Sequence, residues 1–271
     1  KMFIFLLLIL ANSSFAYAHY LLDTIINNDS FIIKPIFSED TIKTINELKK
    51  EQGSLQIILK TSEKAKIKEL TNIIGDIGVL FLTCDSNSNI QLFFSELIKR
   101  NKQTLNYLLI NNFSLQNIPK EISEFKNLKN LILYSKGNTE FPLNIYKCKE
   151  LEYLGINGYN FDKIPNGISV LKKLKKIEIH NCCFIELPID FFKLNKLEEI
   201  SFFYSKCFDI KDLIIKISKI DNLINCLNLS NCEIKKLPFE FFDLINIKII
   251  ELWGNQINDN DINKLKSNKI W

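Results

Sequence analysis

Four residues in the middle of the chain, His180-Asn181-Cys182-Cys183, have the side-chain types that could do chemistry as they stand. An imidazole beside two thiols is raw material for a metal site or for a nucleophile–base pair. Neither is expected here. A zinc site needs more ligands, and the other histidine, His19, lies far away near the N-terminus. His180, at the last strand position, is expected to face outward and Cys182, past the strand end, inward, and a thiol turned into a core is inert. The sequence contains no phosphate-binding glycine loop, no H-E-x-x-H and no G-x-S-x-G. It therefore carries no catalytic residue, no metal ligand and no cofactor motif, and reads as a non-enzyme.

Recognition needs contact area rather than reactivity, and here the residues are more informative. Tyr107, Tyr134, Tyr153, His180, Phe203, Tyr204 and Trp253 recur along one stretch, with Asn111, Asn157, Glu178, Asn228 and Glu251 among them. Tyr and Trp supply large area at low entropic cost, which suits a protein contact. Rings so placed can also stack on one another and merely fill a curve. The choice depends on the elements that carry them.

Those elements repeat. With Leu105 as position 1, apolar residues fall at positions 1, 4 and 6 (Leu105, Leu108, Ile110), at 11 and 14 (Leu115, Ile118), and at 18 and 21 (Ile122, Phe125), with Pro119 at 15. Position 4 alone runs Ile57, Leu80, Leu108, Leu131, Leu154, Ile177, Ile200, Leu227 and Ile250, at gaps of 23, 28, 23, 23, 23, 23, 27 and 23. A period in this range is the mark of a stacked repeat architecture. Positions 3 to 7 alternate as a short strand, 4 and 6 inward, 3, 5 and 7 outward. The proline at 15 lacks an N–H and fixes φ, so it suits the bend that brings the chain back. After it, pairs such as Ile122 and Phe125 have the spacing of a short helix or helical turn on the outer side.

The pattern L-x-x-L-x-L, then x-x-[N/C], then [I/L]-P-x-x-[I/F]-x-x-[L/F], resembles the leucine-rich repeat family in its 23-residue form with a Leu-Pro or Ile-Pro step. The likeness is close over 105–260 and loose over 55–104. It implies an α/β fold: a leucine-rich-repeat solenoid, a curved horseshoe with a concave parallel sheet and short helices or turns on the convex side. It also implies that Asn or Cys at position 9 satisfies turn backbone. Asn255, Cys232 and Cys182 fit this and Ser205 is a fair substitute, whereas Phe113, Lys136 and Tyr159 depart from it, with Asn112, Asn138 and Asn160 close by. Concave solenoid faces are the usual binding surface, so the seven aromatic and histidine residues above are the expected partner-binding set.

Along the chain, residues 1–18 read as a signal peptide. An apolar run, MFIFLLLILA, precedes Ala16-Tyr17-Ala18, with cleavage expected before His19. Residues 19–54 read as an N-terminal cap, with Phe31-Ile32-Ile33 as a strand and Ser38 capping a helix. Residues 55–104 hold two divergent repeats whose return segments, Ile67 to Ile74 and Leu92 to Ile98, have helical spacing and no proline. Lys99 to Lys102 reads as a charged loop that accounts for part of the 28-residue gap. Regular repeats follow over 105–246, with a helix through Leu213, Ile217 and Ile220 in a longer unit. Residues 247–271 read as the last repeat and a C-terminal cap.

The chain has 271 residues, 46% hydrophobic and 24% charged, with a formal net charge of +4, an ordinary globular composition too weakly basic to imply a polyanion partner. Arg100 is the single arginine, which argues against nucleic-acid reading, since arginine forks are its usual tool. The apolar run is too short to span a bilayer, so no stable membrane span is expected after signal cleavage. Of the seven cysteines, Cys182 and Cys232 sit two repeats apart, too far to bridge; Cys207 could approach either, but buried thiols are the expectation. The reading that follows is an exported module, secreted, periplasmic or at the cell surface, that binds a protein or peptide with its concave face. The alternative is a surface adhesin or structural protein held to membrane or anionic polymer by lysines such as Lys172, Lys173, Lys175 and Lys176, which otherwise form a solvated edge.

Overall fold

Each strand hydrogen-bonds to the next in parallel register, so residues at equal repeat positions become neighbours: Leu108 pairs with Leu131, Leu131 with Leu154, Leu154 with Ile177 and Ile177 with Ile200. The computed structural model describes residues 54–267 apart from 60–62, 85–88, 113–117, 136–139, 160, 162, 184–185 and 207. Nine strands form one sheet in sequence order. They are β1 (Ser54–Leu59), β2 (Val79–Cys84), β3 (Tyr107–Asn112), β4 (Asn130–Tyr134), β5 (Tyr153–Asn157), β6 (Lys176–His180), β7 (Glu199–Ser201), β8 (Ile224–Asn228) and β9 (Ile247–Glu251). The described residues all belong to one compact unit.

The return segments sort as their sequences predict. Those with the proline step form short 3₁₀ turns at Lys120–Glu124, Leu143–Lys147, Ile168–Val170, Phe191–Lys193 and Phe239–Asp243. Those without it form α-helices: α1 (Lys64–Ile74), α2 (Ile90–Asn101) and α3 (Ile210–Ser218); a fourth, α4 (Asp259–Ser267), follows β9. The proline stands at the start of the turn, as at Pro119, Pro142 and Pro238, where its fixed φ suits the bend and its missing N–H costs no helical hydrogen bond. The helices start on side-chain caps where these are available. Asn89 accepts from the Leu92 amide at 2.9 Å, and Asp209 from those of Lys211 and Asp212 at 2.8 and 3.2 Å.

The core lies between the sheet and these return segments. Positions 1, 4 and 6 are buried from β2 to β8, as are the 3₁₀ side chains Ile122, Ile145, Ile168, Phe191 and Phe241. Phe94 meets Phe93 and Phe125 edge-on, with centroids 5.6 and 6.2 Å apart. No repeat buries these residues alone, so each depends on its neighbours.

One loop is corrected. Lys99 and Arg100 are in the last turn of α2, not in a loop, because Asn101 is fully buried and ends the helix with its side chain. Its Oδ1 accepts from the Ile77 amide at 2.7 Å and its Nδ2 donates to the Gly75 and Leu97 carbonyls at 3.0 and 3.2 Å.

The turns after the strands use position 9 as the resemblance implies. Asn255 Oδ1 accepts from the Cys232 and Ile234 amides at 3.0 and 3.1 Å, while its Nδ2 donates to the Leu229 and Leu252 carbonyls, both at 2.8 Å. Ser205 donates to Ile179 O at 2.7 Å, and the Cys182 and Cys232 thiols lie on backbone carbonyls. At Tyr159 the ring is simply buried. Cys148, Cys182, Cys226 and Cys232 are free thiols. Burial pushes the Cys148, Cys182 and Cys232 thiols up to about 12, so they are inert. Cys183 departs from the expectation of buried thiols: it is disulfide-bonded, half-buried in the bridge segment that pairs with Lys206. The signal peptide, most of the N-terminal cap, Phe113, Lys136, Asn138, Asn160, Cys207 and the last four residues of the C-terminal cap lie outside the described residues.

Candidate binding face of the sheet

Outward positions 3, 5 and 7 line up across the strands into three columns. Position 3 runs Tyr107, Asn130, Tyr153, Lys176, Glu199, Cys226 and Ile249; position 5 runs Leu109, Ile132, Gly155, Glu178, Ser201, Asn228 and Glu251. Position 7 continues beyond the paired strands. Amide bonds from Ser135 to Asn157 O, Gly158 to His180 O, Asn181 to Phe203 O, Tyr204 to Ser230 O and Asn231 to Trp253 O, all 2.9–3.2 Å, carry it through Tyr134, Asn157, His180, Phe203, Ser230 and Trp253.

The expected seven residues do not share one environment. Tyr204 and Trp253 are 46% and 53% exposed, but Tyr134, His180 and Phe203 are only 8%, 2% and 4% exposed. Tyr107 and Tyr153 are half-buried. Tyr107 stacks near Phe81, 5.6 Å between centroids, and Tyr153 donates to Glu178 Oε2 at 2.7 Å. Both readings of the aromatics are thus realised in different places. Toward β3–β6 the rings are buried or half-buried, and toward β7–β9 Tyr204 and Trp253 face solvent while Phe203 is covered.

A polar network that strand-by-strand reading missed lies at the centre. Glu178 is buried, and besides Tyr153 it holds Lys176 Nζ at 3.0 Å, which also contacts Glu199 at 3.0 Å. Burial opposes the charge on Lys176, but the Glu178 and Glu199 carboxylates outweigh it and hold its ammonium above the ordinary value. Its Nζ also lies 5.3 Å from the Tyr153 ring centre. Gly155 leaves the space that Tyr153 crosses, since a Cβ there would sit 3.2 Å from Ile132 and 3.4 Å from the tyrosine oxygen. His180 Nε2 lies 2.7 Å from Ser201 Oγ. That is the distance of a nucleophile–base pair, but burial pushes the imidazole down to about 4, far too weak a base near neutrality. The pair reads as a structural hydrogen bond. A register of 23 residues applied to polar outward positions would have found these contacts from sequence.

Position 8 is where the chain leaves each strand, and Gly158, Asn181, Tyr204, Asn231 and Gly254 all take positive φ there, between 50° and 78°. Gly and Asn tolerate this left-handed conformation, and a large ring does not. At Gly158 a side chain is impossible, because a Cβ would be 1.9 Å from Ser135 O. Tyr204 is the exception in the column. Its ring is presented to solvent, edge-on to Phe203 with centroids 4.6 Å apart.

Among the described residues no group of three or more His, Cys, Asp or Glu could hold a metal, and no helix is long and apolar enough to cross a membrane. No family model and no curated protein matches the sequence. Solved structures do match. A leucine-rich repeat protein of Leptospira interrogans aligns at 25% identity and a TM-score of 0.56, over 73% of this chain and 47% of its own. The chain has the leucine-rich-repeat fold. A plant peptide hormone receptor, RGFR1 in complex with RGF2, aligns at 19% identity and a TM-score of 0.47, over 75% of this chain and 39% of the receptor. An internalin of Listeria monocytogenes aligns at 19% and 0.45, over 79% of this chain and 69% of its own. The leucine-rich repeat chain thus spans under half of the Leptospira protein and of the plant receptor.

Proposed function

We propose that this leucine-rich repeat chain is an exported, non-catalytic module of 23-residue repeats that binds a protein or peptide on the concave face, at the β7–β9 end. The observation that carries this is Tyr204. Where Gly158, Asn181, Asn231 and Gly254 take the same left-handed conformation in the flanking repeats, this one holds an exposed tyrosine beside an exposed tryptophan. Strain kept at an exposed aromatic is the mark of a residue retained for contact rather than for folding. Export is supported by the apolar run before Ala16-Tyr17-Ala18 and by the disulfide at Cys183, a bond that persists in oxidising compartments.

The lysine-run alternative has weaker support. Lys173 and Lys175 are paired with Glu150 and Glu152, and Lys176 with Glu178 and Glu199, so little free positive charge remains there.

The test is a double variant, Tyr204→Asn with Trp253→Ala, used beside wild type to capture partners from the native envelope or medium. Tyr134 and Phe203 are unsuitable because they are buried. The expectation is that one species retained by wild type is lost by the variant, while the melting temperature stays level or rises. Equal capture by both proteins defeats the proposal.

A further inference from the structure

At the β7–β9 end, Phe203, Ser230 and Trp253 are successive members of the position 7 column. Two strands apart is about 9–10 Å. The Phe203 and Trp253 ring centres are only 5.2 Å apart, so the rings lean together over Ser230. Ser230 is fully buried, and its hydroxyl has no hydrogen-bond partner among the described residues. A buried hydroxyl without a partner is uncommon, since leaving one unmade has a free-energy cost. Beside the rings stand two carboxylates. Glu199 shares its one cation, Lys176, with Glu178, and Glu251 has no ion-pair partner among the described residues, only the Asn228 amide. Their charges act on the Cys226 thiol, which burial and then Glu251 and Glu199 push up to about 11. Lys206, two residues after Tyr204, is held by Glu233. Three carboxylates on the face thus have one lysine between them.

We propose that this patch, Tyr204, Phe203 and Trp253 over Ser230 with Glu199 and Glu251 alongside, takes a lysine or arginine side chain of a basic peptide segment. The proposal rests on the reading of the concave face as a binding surface and names what binds there. A cation is attracted to an aromatic face and to a carboxylate at once, and the two attractions add in this arrangement. Ser230 supplies the acceptor for an N–H that parts the rings. The stem of a lysine or arginine covers the exposed ring surface while its charge reaches Glu251. An acidic segment meets only repulsion from these carboxylates.

The experiment follows Trp253 fluorescence in a Trp271→Phe background, which leaves one tryptophan. The probes are a short peptide of alternating arginine and glycine and the same peptide with glutamate for arginine. The arginine peptide is expected to change the emission saturably, more tightly at low than at physiological salt, and the glutamate peptide to do nothing. Glu199→Gln with Glu251→Gln should weaken the arginine peptide by about tenfold or more, with an unchanged melting temperature showing that the fold is intact. Equal response to both peptides, response to neither, or an affinity indifferent to the double variant overturns the proposal. If the peptides fail while Tyr204→Asn with Trp253→Ala still abolishes partner capture, the face binds protein and only the charge class assigned here is wrong.

Discussion

Trp253 leans across one repeat to put its ring 5.2 Å from that of Phe203, closing over the Ser230 hydroxyl. Removing a buried, unpartnered hydroxyl leaves packing nearly intact and ends an unmet hydrogen bond. Ser230→Ala is therefore expected to stabilise the free protein by about 1 kcal/mol. Urea unfolding followed by circular dichroism checks this. A clear loss of stability would show that the hydroxyl is satisfied in solution.

His180 ties stability to pH. Its imidazole is pushed by burial from 6.5 to about 4, so the folded chain refuses a proton that the unfolded chain accepts. Its contribution is fully present above pH 6.5 and is lost as pH falls from there to about 4. The shift corresponds to roughly 3 kcal/mol at the acid end of that window. Denaturant midpoints across the window should fall more steeply for wild type than for His180→Gln. Parallel curves would mean that the histidine titrates normally.

The two lysine pairings should differ in worth. Lys176→Met strands the buried Glu178 carboxylate without its cation and is expected to cost about 2–3 kcal/mol. Lys173→Met breaks only an exposed pair with Glu150 and should change stability by less than about 0.5 kcal/mol. Thermal melts of the two variants decide this, and similar losses would contradict the burial argument.

Much of this architecture was legible without coordinates because its signals are local and recurrent. The inward residues at positions 1, 4 and 6 repeat whatever surrounds them, and the presence or absence of proline separates 3₁₀ turns from α1, α2 and α3. The loop expected at Lys99–Lys102 failed for the converse reason. Charge suggested solvent, but Asn101 between those residues is buried by partners from another repeat, Ile77 and Gly75. Cys183 likewise carried no signal, since disulfide pairing depends on what stands opposite.

The candidate surface divides along the same line. Sequence by itself determined which residues face outward, since alternation is a property of the strand alone. Only the tertiary structure decided which of these remain exposed. Tyr134, His180 and Phe203 point outward yet are covered by side chains from neighbouring repeats, whereas Tyr204 and Trp253 are open to solvent. Direction is set within one strand, but burial is set between strands, by how far each ring leans toward side chains a full repeat away.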